Sequence, residues 1–342
     1  MDQSITFVLV IIAVALVFDF INGFHDSANS IATVVSTRVL TPGVAVIWAA
    51  FFNFVAAFTI GTAVAKTISK GLIEPAAVTP NVILAALIGA IVWNLVTWWF
   101  GLPSSSSHAL LGGFGGAAVT HYGFGAIIGA GWIKPILAIV FSPLLGLTLG
   151  LTLYVSLAWL LHKLPAAPLD TAFRRLQLVS AALYSLSHGA NDAQKTMGII
   201  MSLLVASQAM FANATGWLRH LYIVNSDHVP LWIVLAAHAA IAGGTAAGGW
   251  RIVRTMGTRI TKLTPFGGFC AETGGGLTIL LASKLGVPVS TTHTITGAIV
   301  GVGAAKRAAA VRWGVATRIV WAWILTIPIS ALLAAITYKL LP

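Results

Sequence analysis

Residues 4–38 form a mostly apolar run in which Asp19, Asn22, Asp26, Asn29 and Thr33 recur at steps of three and four. That spacing puts the five on one face of a helix, a polar stripe on a membrane segment. Its middle, Asn22-Gly-Phe-His-Asp-Ser-Ala-Asn29, falls where a spanning segment should be least polar. A carboxylate near the bilayer centre costs about 2.5–3.5 kcal/mol on insertion scales and marks an ion or substrate path.

Further apolar segments lie near 43–68, 81–101, 108–119 and 135–162, and after a polar connector at 163–175 the pattern restarts at 176–206, 230–253, 266–285, 293–304 and 314–340. Such a restart is an internal repeat. At an offset of 166, Gly23 meets Gly189, Asp26 meets Asp192, Asn22 meets His188 and Asn29 meets Lys195. At an offset of 185, Gly101-Leu-Pro-Ser-Ser-Ser-Ser-His108 meets Gly286-Val-Pro-Val-Ser-Thr-Thr-His293, and Gly112 and Gly116 meet Gly297 and Gly301. The chain therefore divides into a first transmembrane repeat (1–162), a connector (163–175) and a second repeat (176–342).

Composition narrows the class. Of 342 residues 58% are hydrophobic and 8% charged, with a mean hydropathy of +0.94. No ordinary soluble domain is so poor in charge. The expected fold is all-α and polytopic in the membrane. The net charge of +11 reads as basic cytoplasmic loops and not as nucleic-acid binding. The first segment lacks a basic n-region and a cleavage site, so it reads as retained. Cys270 stands alone, which excludes an internal disulfide, and no Cys/His spacing suggests a fixed structural metal. No cofactor is expected.

Lys/Arg bias sets the orientation. The connector, Arg251/Arg254/Arg259/Lys262 and Lys306/Arg307/Arg312/Arg318 are basic and expected to be cytoplasmic. Their first-half counterparts carry less charge. Each repeat then has an odd number of crossings, which inverts one copy and leaves both termini outside the cytoplasm. Inverted repeats with broken helices or re-entrant hairpins are the architecture of secondary transporters, with the site where the copies meet. Crossing parity leaves open whether 81–119 and 266–304 span twice or dip in as hairpins.

The paired hydroxyl runs supply the chemistry. Proline, hydroxyl residues and then a glycine-punctuated stretch read as a short helix starting inside the membrane, whose free N–H groups and positive dipole end make an anion site. Ser105, Ser106 and Ser107 with Ser290, Thr291 and Thr292 are the candidate ligands; helix capping by Ser107 and Thr292 is the plainer reading. Asp26 and Asp192 would repel an anion. Either each holds a cation, H⁺ or Na⁺, that enters with the anion, or each accepts a hydrogen bond from a protonated oxyanion, which favours phosphate over sulfate. Lys195 replaces Asn29 with a fixed charge three residues from Asp192. It could bind phosphate or pair Asp192 in place of a sodium ion; snorkelling to an interface is the alternative. Glu272 is a candidate coupling group or a partner for a histidine. Asn22, His25 and His188 are further coupling candidates, Asn53, Asn94 and Thr97 read as interhelical hydrogen bonds, and Trp98, Trp99, Trp321 and Trp323 as belt or packing residues.

Gly23-Phe-His-Asp-Ser-Ala-Asn-Ser-Ile-Ala-Thr33, His188-Gly-Ala-Asn-Asp-Ala-Gln-Lys-Thr-Met-Gly198 and the two Pro-x-Ser-[Ser/Thr]-[Ser/Thr]-His elements resemble the signatures of the Pit family of inorganic phosphate transporters. The resemblance spans nearly the whole chain. It implies symport of phosphate, free or as a neutral complex with a divalent metal, coupled to H⁺ or Na⁺. The family's paired aspartates map to Asp26 and Asp192, its second-half glutamate to Glu272, and its polar ligands to Asn29, Asn191, Ser105 to Ser107 and Ser290 to Thr292. Asn53 departs from the Glu of eukaryotic relatives, and Lys195 from the Asn of sodium-coupled ones. The expected partners are phosphate, a coupling cation and the bilayer of the plasma (inner) membrane, with a homodimer as an option. A sulfate or other oxyanion permease is the nearest rival, and a passive channel another. A Ser hydrolase fits poorly, because Ser107 and His108 are adjacent and no Gly-x-Ser-x-Gly elbow is present.

Overall fold

The computed structural model describes residues 4–59 and 61–341. The expectation that both termini are non-cytoplasmic falls on residues outside this range.

Long apolar stretches form the helices, and prolines and glycines mark where they start and stop. The helices are α1 (Ile5–Ser36), α2 (Pro42–Val55), α3 (Ala63–Gly71), α4 (Pro80–Trp99), α5 (Ser106–Tyr122), α6 (Gly129–Leu161), α7 (Ala166–Ala206), the one-turn α8 (Gln208–Phe211), α9 (Leu231–Ala247), α10 (Trp250–Arg254), α11 (Pro265–Lys284), α12 (Thr291–Lys306) and α13 (Trp313–Leu340). Four of them, α1, α4, α6 and α13, are long and apolar enough to cross a membrane. The count is six if α2 with α3 and α9 with α10 each form one span, bent by 76° and 61°. The breaks fall at corresponding places in the two halves. The second follows Gly248, whose φ of 73° ends α9 in a conformation that favours glycine. By contrast α1 is unbroken through its polar stripe.

The two hydroxyl-rich elements are built alike. Thr79 and Thr264 cap the N-termini of α4 and α11, each followed by a proline, and their hydroxyls accept from Val82 N and Gly267 N, both at 3.3 Å. Gly101 (φ 64°) and Gly286 (φ 67°) end those helices, with Leu102 N donating to Thr97 O and Val287 N to Ala282 O, both at 2.9 Å. This is the left-handed glycine stop with a six-to-one bond, made twice. The chain then turns into α5 and α12 through Ser104–Ser107 and Ser290–Thr292, all buried. A loop joining two full crossings would emerge into water. The tips here are buried inside the protein, and 81–119 and 266–304 each form a helical hairpin.

The last helix of each half clasps the other half's hairpin. A Cβ added to Gly297 or Gly301 of α12 would come within 2.1 Å of Pro143 O or 2.2 Å of Leu147 O of α6. One added to Gly112 or Gly116 of α5 would come within 2.5 Å of Ile327 O or 2.4 Å of Ala331 O of α13. Small residues let membrane helices approach this closely, which accounts for both glycine pairs of the repeat. The outer faces of α6 and α13 expose Val140, Phe141, Leu144, Trp321, Ile324 and Leu332, an apolar belt suited to lipid.

The connector expected at 163–175 is helical from Ala166, and α7 runs on without a break to Ala206. Arg174 Nε pairs with Asp170 Oδ2 at 2.8 Å one turn away, and Phe173 is buried against Phe266 and Phe269, so the polar stretch is held as helix.

Candidate functional site

Helices α1 and α7, the two copies of the polar stripe, run antiparallel where they cross. Thr37 Oγ1 donates to Gln177 Oε1 at 2.9 Å. Further along, one ligating atom each of Asp26, His188 and Asp192 lie within 4.8 Å of one another, and Asp19 lies beside Thr196. The hairpin tips close the site between them. The rings of His108 and His293, first residues after the hydroxyl runs, meet with centroids 4.6 Å apart, and His293 stacks on Trp323 at 3.8 Å.

Each half contributes the same two connections. In its own half, the aspartate accepts from the first hydroxyl of the following helix: Ser106 Oγ to Asp26 Oδ1 at 3.4 Å, and Thr291 Oγ1 to Asp192 Oδ2 at 3.2 Å. Across the halves, the residue three beyond the aspartate reaches the second hydroxyl of the opposite hairpin. Asn29 Nδ2 donates to Thr292 Oγ1 at 2.9 Å and to Thr291 Oγ1 at 3.3 Å, while Lys195 Nζ donates to Ser107 Oγ. Lys195 also donates to Asp192 Oδ1 at 2.5 Å and Val289 O at 2.8 Å, and is 2% exposed. It does not snorkel; it is the buried counter-charge of Asp192. A buried charge persists only when paired and hydrogen-bonded.

The histidines take up the aspartates differently. His25 Nδ1 lies 2.6 Å from Asp26 Oδ1, and its Nε2 lies 3.1 Å from Thr97 Oγ1 and 3.4 Å from Ser104 Oγ. His188 Nε2 lies 3.3 Å from Asp192 Oδ2. Its Nδ1 is 3.1 Å from Asn53 Oδ1, and Asn53 Nδ2 donates to Thr245 Oγ1 at 2.8 Å. Asn53 is thus the interhelical link expected of it, as is Thr97.

Several expected placements change. Ser105 and Ser290, not Ser107 and Thr292, are the caps: their hydroxyls accept from His108 N and His293 N, both at 3.2 Å. That leaves the hydroxyls and leading N–H groups of Ser106, Ser107, Thr291 and Thr292 for the site. Asn191 turns its amide nitrogen to Ser283 Oγ at 2.8 Å and Val287 O at 3.4 Å, bracing the second hairpin. Glu272 pairs with no histidine; it accepts from Gln177 Nε2 at 3.0 Å and Ser180 Oγ at 2.5 Å, on the side of the cluster marked by Thr37. Asn22 stands beside Asp19, a turn away from Asp26. Asn94 makes no interhelical bond, as neither side-chain atom has a partner. Trp323 takes the packing role of the two expected for it: its Nε1 donates to Pro103 O at 3.0 Å and it locks a hairpin tip. Sequence reasoning did not select Thr97 or Ser104 as site residues, and Asp19 lies beyond the site. Ser104 stood in the serine run, and Asp19 in the polar stripe.

A family model described as the phosphate transporter family matches residues 22–334. A relative from Rhizobium meliloti, a probable low-affinity inorganic phosphate transporter, is 56% identical over 99% of this chain and 98% of its own. A protein from Bacillus subtilis with the same description is 45% identical over 100% of this chain and 99% of its own. A solved structure of a sodium-dependent phosphate transporter superposes with a TM-score of 0.84 at 26% identity, over 98% of this chain and 99% of that one. These are transporters, not enzymes, and this chain of apolar helices closed around a buried polar centre belongs to the phosphate transporter family.

Proposed function

We propose that this chain is a secondary symporter that takes up inorganic phosphate with a proton, by alternating access of two inverted halves around the buried centre. The observation that carries the reading is the doubled cross-connection, Asn29 to Thr292 and Lys195 to Ser107. It ties each half's stripe to the other half's hairpin at equivalent positions, and antiparallel packing of α1 on α7 is the arrangement an inverted repeat produces. The leading N–H groups of α5 and α12 face a centre lined with hydroxyls, which suits an oxyanion that must bind and leave. Lys195 supplies one permanent positive charge where a coupling cation would otherwise be needed. In this reading Asp26, Asn29, Ser106, Ser107, Asp192, Lys195, Thr291 and Thr292 contact phosphate in turn with one another. The basic loops face the cytoplasm and the protein lies in the plasma (inner) membrane.

Sodium coupling is the second reading. The solved neighbour is sodium-dependent, and the Asp26–His188–Asp192 group has the oxygen and nitrogen donors to chelate a cation. A divalent metal could enter with phosphate by the same group. Radiolabelled phosphate uptake into proteoliposomes separates these readings. Accumulation under a pH gradient without sodium supports proton coupling. Accumulation only under a sodium gradient keeps the site and discards the role given to Lys195. Flux of sulfate and not phosphate would discard the phosphate reading.

A further inference from the structure

Asp19 lies outside the cluster just described. It is completely buried, and neither of its carboxylate oxygens has a hydrogen-bond partner. Asn22 on α1 and Thr196 on α7 approach it. Neither completes a hydrogen bond with it, and the Thr196 hydroxyl has no partner of its own. A bare carboxylate in such a place is costly, and it is relieved either by a metal cation or by a proton. A metal needs a shell of several oxygens. Around Asp19 the side chains add the unpartnered Asn22 Oδ1 and Thr196 Oγ1. With its own two these make four oxygens, short of the roughly six to eight a calcium-like ion takes. The backbone gives none, because α1 and α7 are unbroken helices here and their carbonyls are committed along the axis. A proton needs no shell.

Position adds to this. Along α7, Thr196 is one turn from Asp192 and Ser202 lies six residues further, about 9 Å at the helical rise. Ser202 lines a cavity of about 520 Å³ together with Ser69, Lys70, Gln208, Asn225 and Ser226. Asp19 therefore stands between that cavity and the Asp192–Lys195 pair, while Glu272 stands on the opposite side of the cluster. The charged groups that face Asp19 are Asp192 and Lys195 of α7. Helix α9, packed on the same helix, contributes the buried His238, whose Nδ1 is 2.8 Å from Val234 O, and α4 contributes no titratable group.

We propose that Asp19 is the proton-loading site of the transport cycle. This rests on the reading of the chain as a proton-coupled phosphate symporter. A hydronium from the cavity transfers its proton to an Asp19 oxygen and leaves as water; the resulting neutral acid donates to Thr196 or Asn22. One negative charge is thereby removed from the neighbourhood of Asp192 before the anion arrives.

The test compares wild type with Asp19→Asn in proteoliposomes, where asparagine copies the shape of the protonated acid. Two quantities are read: phosphate–phosphate exchange, which needs no net proton movement, and accumulation under a pH gradient with proton entry followed by a trapped pH-sensitive dye. Asp19→Asn is expected to keep exchange and lose both accumulation and phosphate-linked proton entry. Accumulation with the wild-type proton-to-phosphate ratio overturns the assignment, as does joint loss of exchange and accumulation by a correctly inserted variant. Should Asp19→Asn fail to insert, Thr196→Val takes its place; it is expected to shift the pH dependence of accumulation and leave exchange unchanged, and an unmoved profile overturns the proposal. Absence of exchange in wild type would instead sink the phosphate transport reading itself.

Discussion

The two halves make the same contacts with different charge. In the first, Asp26 faces His25 at 2.6 Å, and the cross-connection is made by the neutral amide of Asn29. In the second, Asp192 faces Lys195 at 2.5 Å as well as His188 at 3.3 Å, and the cross-connection is made by the lysine itself. Geometry is duplicated and electrostatics is not. Both aspartates have a histidine beside them, and only the second has a lysine as well.

The largest expected effect follows from that pair. Asp192→Asn strands the buried Lys195 side chain, at a cost of about 3–5 kcal/mol, whereas no lysine stands beside Asp26 for Asp26→Asn to strand. Both variants should lose uptake. Only Asp192→Asn should also lower the unfolding temperature of the detergent-solubilised protein strongly, and the double variant Asp192→Asn/Lys195→Asn should recover most of that loss. Equal melting of the two single variants would break the comparison.

Packing at the clasped hairpins comes next. Gly297→Val and Gly112→Val each force a side chain against the backbone of α6 or α13, at about 1–3 kcal/mol for overpacking. Because the contacts are equivalent, the two losses in thermal stability should match. A clear inequality would show that one clasp is looser than the other.

A smaller contrast lies in the hydroxyls. Ser107→Ala removes an acceptor from a charged donor, worth about 1.5–3 kcal/mol, and Thr292→Val removes one from an amide, worth about 0.5–1.5 kcal/mol. Denaturation of the two variants should rank them in that order.

The exposed Lys70–Asp227 pair, at 2.6 Å, is the mildest probe. The hydrogen bond and charge of Lys70 hold the Asp227 carboxyl below its usual range. Its contribution is therefore present above the ordinary carboxylate value and is lost as pH falls through the depressed one. The protection of amides in the loop at 207–229, relative to their intrinsic exchange rates, should be steady from neutral pH to about 4 and fall only below that, and Lys70→Ala should abolish the step.

Much of the fold was legible because hydrophobic runs, prolines and glycines act locally. The helix limits follow the apolar segments closely, and the offset of 185 relates α4 and α5 to α11 and α12. Asp26, Asn29, Ser106, Ser107, Asp192, Lys195, Thr291 and Thr292 meet as expected because the repeat puts equivalent residues at equivalent depths. That Ser105 and Ser290 are the caps was not legible: in a run of hydroxyls, which one caps depends on where the backbone first becomes helical. The connector's polarity says nothing of its helical form, and Phe173 finds a hydrophobic seat against Phe266 and Phe269 of α11 that no local pattern announces.

By itself the sequence determined an all-helical membrane chain, its doubling, the polar stripe and the hydroxyl pairs, since each follows from periodicity and from what a bilayer tolerates. Only the tertiary structure decided that each half's last helix holds the other half's hairpin, that Asn29 and Lys195 cross to the opposite tips, and that Glu272 stands with Gln177 and not with a histidine. Those are contacts between residues scores of positions apart. Helix packing selects them through close backbone approach at glycines and the pairing of buried charge, and neither quantity is written in the order of residues along one strand of chain.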